Sequence, residues 1–96
     1  MIGYFAQSKK GHDKGATYII ISKDAKYAYV ADGRNKLVAA PKKKAFKHIV
    51  VYTNCENQEL VEIRSKLLAN ETVYDHNIKR AIKLFLKQDY AEVENV

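Results

Sequence analysis

Cysteine occurs once, at Cys55, so no internal disulfide is possible and a reducing compartment fits. Proline also occurs once, at Pro41. Lacking a backbone donor, it ends a strand or sits on a sheet edge. No apolar run approaches the roughly 18 residues of a membrane span. The N-terminus lacks the basic and then long apolar layout of a signal peptide, so a cytoplasmic protein with no membrane partner is expected. Signals for catalysis are equally sparse. His12, His48, His76 and Cys55 show no tight metal-ligand spacing. Cys55 near His48 lacks a third group to orient a nucleophile and its base. No two carboxylates form an acid/base pair, and the glycines do not match a Walker-type nucleotide loop. No catalytic residue, metal or cofactor is expected.

What is present is positive charge, unevenly placed. The net charge is +6. Residues 1–53 hold 11 Lys and Arg against 3 Asp and Glu, a net of 11 − 3 = +8, whereas residues 54–96 hold 6 against 8, a net of 6 − 8 = −2. Such asymmetry points to nucleic acid and assigns the basic surface to the front half. The pI near 9.4 favours an acidic partner. At 96 residues the chain is large enough for one core but not for two.

Strand patterns fill the front half. Ile2–Ala6, Thr17–Ile21, Tyr27–Ala31, Asn35–Ala39 and His48–Tyr52 are short, apolar, and rich in β-branched or aromatic residues. Asp32-Gly33 is a tight hairpin signal between the third and fourth. Five short strands at this spacing predict a mainly β fold, a small barrel over residues 1–53. From Asn54 the period becomes helical. Leu60, Ile63 and Leu67 define one helix, with Asn70 as its left-handed cap. Ile78, Ala81, Ile82 and Phe85 define a second, with Lys79, Arg80, Lys83 and Lys87 on the opposite face. Asp75 is the expected N-cap, with Thr72 as the alternative. Residues from Tyr90 onward read as a frayed tail. Two C-terminal helices over 54–96 therefore follow the barrel.

The stretch from Gln7 to Gly15 is the focus of the chain. Its glycines, Gly11 and Gly15, permit backbone angles closed to other residues and close approach of another chain. Lys9, Lys10, His12 and Lys14 supply donors suited to phosphate. A second line, Lys42, Lys43, Lys44 and Lys47, follows Pro41, with Arg34 and Lys36 between the two. Lysine runs supply affinity rather than sequence readout. They also serve as a solvated edge that discourages strand-to-strand aggregation. Phe46, amid these lysines, either stacks on a base or plugs the barrel, the second being preferred.

The pattern Gly11-His12-Asp13-Lys14-Gly15, between a strand and a β-rich run, resembles the KOW motif of small SH3-like barrels. Such barrels occur in ribosomal proteins and transcription-elongation factors. Ala16-Thr17-Tyr18-Ile19 replaces the Gly-x-Val that often follows the second glycine, which points away from elongation factors. Val30-Ala31-Asp32-Gly33, Ala40 to Ile49, and Tyr52-Thr53 are similar to the ribosomal protein L-fourteen-e family, with its basic strand ending in Lys-His-Leu and Thr. The resemblance covers roughly the first half of the chain. It implies an SH3-like barrel, a ribosomal RNA partner, and a structural or accessory role on the large subunit. Lys9, Lys10, Gly11, His12, Lys14, Gly15, Arg34, Lys36, Lys42, Lys43, Lys44 and Lys47 are the expected RNA-binding set. Ribosomal proteins are further expected partners of the C-terminal helices. The alternative is a protein-interaction module that docks another protein through those helices, with the basic front only steering.

Overall fold

The computed structural model describes residues 1–95, with side chains through Lys87. Five strands form one antiparallel sheet: β1 (Phe5–Ser8), β2 (Thr17–Lys23), β3 (Tyr27–Ala31), β4 (Lys42–Ala45) and β5 (Ile49–Tyr52). Two helices follow, α1 (Gln58–Leu68) and α2 (Asp75–Asn95). This is the mainly β class with two C-terminal helices that the sequence predicts.

The strand order is β4-β3-β2-β1-β5, so the edge strands β4 and β5 are consecutive in the chain. Only a 3-10 turn, Phe46–His48, joins them. In a flat sheet four strand spacings would separate the edges by about 19 Å. Three residues rising about 2 Å each cannot cover that, so the sheet must curl. A bulge in β2 assists. Ile20 pairs with Val30 but Ser22 with Tyr29, leaving Ile21 as an extra residue that sharpens the local bend.

Curling gives the sheet two buried faces. Alternate side chains Ala6, Tyr18, Ile20, Ala28, Val30 and Ile49 fill the inside of the curl. Phe46 packs there while partly buried, which agrees with the plug reading rather than an exposed stacking surface. Phe5 and Ile19 face the other way, into Leu60, Ile63, Ile78, Ala81, Ile82 and Phe85 of the helices. Phe5 and Phe85 stack with ring centroids 4.3 Å apart. Each such fully buried side chain contributes about 1.5–3 kcal/mol. The helices are thus built into the core.

The helix ends are locally determined. Asn57 caps α1, its side-chain oxygen accepting from the Leu60 amide at 2.8 Å. Its amide nitrogen donates to the Ala81 carbonyl, tying α1 to α2. Asn70 ends α1 at φ 57°, as the sequence predicts. The N-cap expected at Asp75 is corrected. Asp75 is the first helical residue, and the Tyr74 carbonyl accepts the opening bonds from Asn77 and Ile78. The Asp75 carboxylate is occupied elsewhere, accepting from the Val38 amide at 2.8 Å. Helix α2 also runs on through the expected tail from Tyr90 as far as Asn95, with Ala91, Glu92 and Glu94 all compatible with helix. Val96 lies outside the described residues.

One strand assignment is also corrected. The fourth strand is Lys42–Ala45, not Asn35–Ala39, and it pairs with β3 from Val30↔Lys42 to Tyr27↔Ala45. Asp32-Gly33 does not reverse the chain in two residues. The Asp32 carboxylate accepts the amides of Arg34, Asn35 and Lys36, each at 2.9 Å, closing a wider turn. Gly33, at φ 76°, lies so close to α2 that an added Cβ would collide with the Asp75 carbonyl oxygen. The chain therefore leaves the sheet to dock on the helix before β4 returns.

Gly33→Ala should accordingly destabilise the protein by about 3 kcal/mol, through the strained backbone and the collision with α2. A urea midpoint indistinguishable from wild type would show that this junction does not hold the helix.

Candidate nucleic-acid interface

Residues 8–16 form a tightly bonded loop. The Gly15 amide donates to the Ser8 carbonyl at 2.8 Å and the Ser8 amide to the Ala16 carbonyl at 2.9 Å. Two successive turns close the tip, Lys14 to Gly11 and Ala16 to Asp13. Gly11 and Gly15 take φ of 92° and 91°, which is why glycine stands at both. The Lys9 amide donates to the His48 carbonyl, binding the loop to the end of the 3-10 turn.

Beneath the tip lies Asp13. Its Oδ1 receives the Lys44 ammonium at 2.9 Å and its Oδ2 the Tyr18 hydroxyl at 2.6 Å. The Ser8 hydroxyl lies 2.9 Å from Oδ1, and the Lys42 ammonium pairs with Oδ2 at 3.2 Å. Burial alone would raise the Asp13 pKa. The hydrogen bonds from Tyr18, Lys44, Ser8 and Lys42 outweigh it and hold the carboxyl well below the usual range. The same contact, added to burial, pushes the Tyr18 phenol up, so it remains a donor.

The predicted site residues divide accordingly. Lys44 is 7% exposed and donates to the Lys10 carbonyl as well as to Asp13, so it is part of the loop's foundation. Lys42 is half-buried in its pair with Asp13. Lys9, Lys10, Gly11, His12, Lys14 and Gly15 are exposed on the loop, and Lys43 and Lys47 on the neighbouring edge. Lys43 leans over the Tyr27 ring, 4.2 Å from its centroid. His48 sits among these cations. Burial and then the charges of Lys47, Lys10, Lys44 and Lys9 depress its pKa. Lys36 is half-exposed, and its backbone closes the Asp32 turn.

Arg34 belongs to a second feature, a cleft of 880 Å³. One wall is the end of the glycine loop, Gly15 to Thr17; another is Asp32 and Arg34. The third is a flank of α2 carrying His76, Lys79, Arg80 and Lys83. Asp32 brings one negative charge to the same cleft, its Oδ1 accepting the three turn amides, against the four cations Arg34, Lys79, Arg80 and Lys83. The α2 cations are absent from the set expected from sequence. Their signal was local. Residues 75–87 hold four cations and one acid, a balance hidden within a half whose total is negative. Asp13 was likewise legible only as a turn residue.

Among the described residues, no three His, Cys, Asp or Glu side chains converge as a metal site requires. No helix among them is long and apolar enough to cross a membrane. Compared with protein-family models and with curated proteins, the chain matches none.

Asp13→Asn leaves Lys44 buried without its counter-charge and should cost about 3 kcal/mol, read from urea unfolding. The pH dependence has a definite sign. A carboxyl that titrates lower in the folded state contributes fully above its unfolded value of about 4 and loses that contribution as pH falls further. Wild type should therefore lose stability on acidification below about pH 4, and Asp13→Asn should lose less over the same interval. Parallel stability curves would exclude Asp13 as the source.

Proposed function

We propose that this chain is an RNA-binding protein that grips backbone phosphates with the glycine loop and the adjoining basic edge. The observation that carries this reading is the arrangement of Lys9, Lys10, Lys14, Lys43 and Lys47. All five ammonium-bearing side chains are exposed, Lys9, Lys10, Lys14 and Lys47 on or beside the clamped loop and Lys43 over Tyr27 on the other side of β4, while Asp13 is satisfied by Lys42 and Lys44 beneath the loop. A rigid support lowers the entropy lost on binding. Lys47, Lys10, Lys44 and Lys9 all act on His48, adding to the larger effect of burial in lowering its pKa. Contacts of this kind are sequence-tolerant, because phosphates carry no base identity.

The resemblance of Gly11–Gly15 and of the segment around Lys42–His48 to the L-fourteen-e family supports ribosomal RNA as the partner, within a cytoplasmic large subunit. Sedimentation with ribosomal particles in moderate salt, lost after nuclease treatment, is the expected behaviour. One observation favours the second reading, a module docking a protein. Val61 and Leu68, seven residues apart on α1, are both exposed. Sedimentation that survives nuclease would support that reading instead.

The direct test is salt dependence. Five phosphate contacts imply that log affinity falls against log salt with a slope of about −3.5 to −4.5. Replacing Lys9, Lys10 and Lys14 with Gln should make the slope shallower by about two to three units, equally on unrelated RNA sequences. These side chains are exposed, so the fold should be spared. A slope near zero for the wild-type chain would end the RNA-binding reading.

A further inference from the structure

The cleft beside α2 differs in chemistry from the lysine-studded loop. Its cations, Arg34, Lys79, Arg80 and Lys83, come from two elements that face each other across a concave space. Its volume lies within the roughly 300–1,000 Å³ of small-ligand sites. Ile82 and Leu86 add an apolar lining. At one end stands His76, and the Tyr74 ring stacks on it with centroids 5.7 Å apart and planes 10° from parallel. Tyr74 is 58% exposed. An aromatic pair left in solvent next to a cationic cleft is what an unpaired base requires, since stacking needs a free ring face. A duplex cannot use it, because its bases are already stacked on one another. Its phosphates would meet the exposed loop lysines equally well.

We infer that this cleft is a subsite for single-stranded RNA, in which Arg34, Lys79 and Lys83 hold the backbone and the His76–Tyr74 stack receives a base. Arg80 contributes less, since its Nε is shared with Glu59 at 3.4 Å. The subsite rests on the RNA-binding reading and adds selectivity for unpaired strands to it. Gly15 belongs to both surfaces, so a strand leaving the cleft passes directly onto the glycine loop.

The test compares a fluorescein-labelled oligouridylate with a blunt RNA duplex of equal length, by anisotropy over a salt series. The wild-type chain should bind the single strand about tenfold more tightly. Lys79→Gln with Lys83→Gln should weaken single-strand binding about tenfold and make its salt slope shallower by about 1.4 units, at 0.7 per contact. Tyr74→Ala with His76→Ala should also weaken it about tenfold, the loss of one stacked base, while leaving the slope unchanged. All four side chains are exposed, and matched circular dichroism and melting curves would confirm that each variant folds. Equal affinity for both RNAs, or wild-type affinity in the cleft variants, would overturn the subsite. The RNA-binding reading would still stand in that case if Lys9, Lys10 and Lys14→Gln weakened both RNAs. Failure of the wild-type chain to bind either RNA would overturn both.

Discussion

A single carboxylate, Asp13, decides how the basic front of this protein is arranged. Three consecutive lysines in a strand are poor candidates for burial, because each ammonium must keep a partner when it leaves water. Strand alternation sends Lys42 and Lys44 to one side and Lys43 to the other. Asp13 receives both inward lysines, and the Lys10 carbonyl takes another bond from Lys44. The pair ties β4 to a loop 31 residues earlier in the chain. It also sorts the lysines, making two of them foundation and leaving their neighbours facing solvent.

A second constraint couples the sheet to the helices. Gly33 lets the β3–β4 connection lie against the first turn of α2, while Asp75 takes the Val38 amide from the same connection. This docking sets Arg34 opposite His76, Lys79 and Lys83. The two halves of the chain differ in the sign of their net charge, yet together they line one cationic cleft. Total charge per segment conceals this, since the acids of the rear half lie largely on α1 and toward the C-terminal end. The basic surface is therefore a product of packing between halves, and only in part a property of the first.

What the residue pattern determined by itself was local. β-branched and aromatic runs specified β2, β3 and β5, and helical periodicity specified the buried faces of α1 and α2. The glycines at 11 and 15 marked a loop with positive φ, and Asn70 marked a helix end. Each of these depends on residues within a few positions, so each was legible. The tertiary structure alone decided the rest. It made a strand of Lys42–Ala45, whose composition disfavours one, because Asp13 and the ladder to β3 stabilise it. It removed a strand from Asn35–Ala39, because the Asp32 carboxylate and α2 captured those amides first. It moved Asp75 from capping a helix to holding a loop. It also divided a lysine run into foundation and surface, and joined α2 cations to Arg34. All of these turn on contacts between residues distant in sequence, where the partner of a charge or an amide is settled by the fold and not by its neighbours.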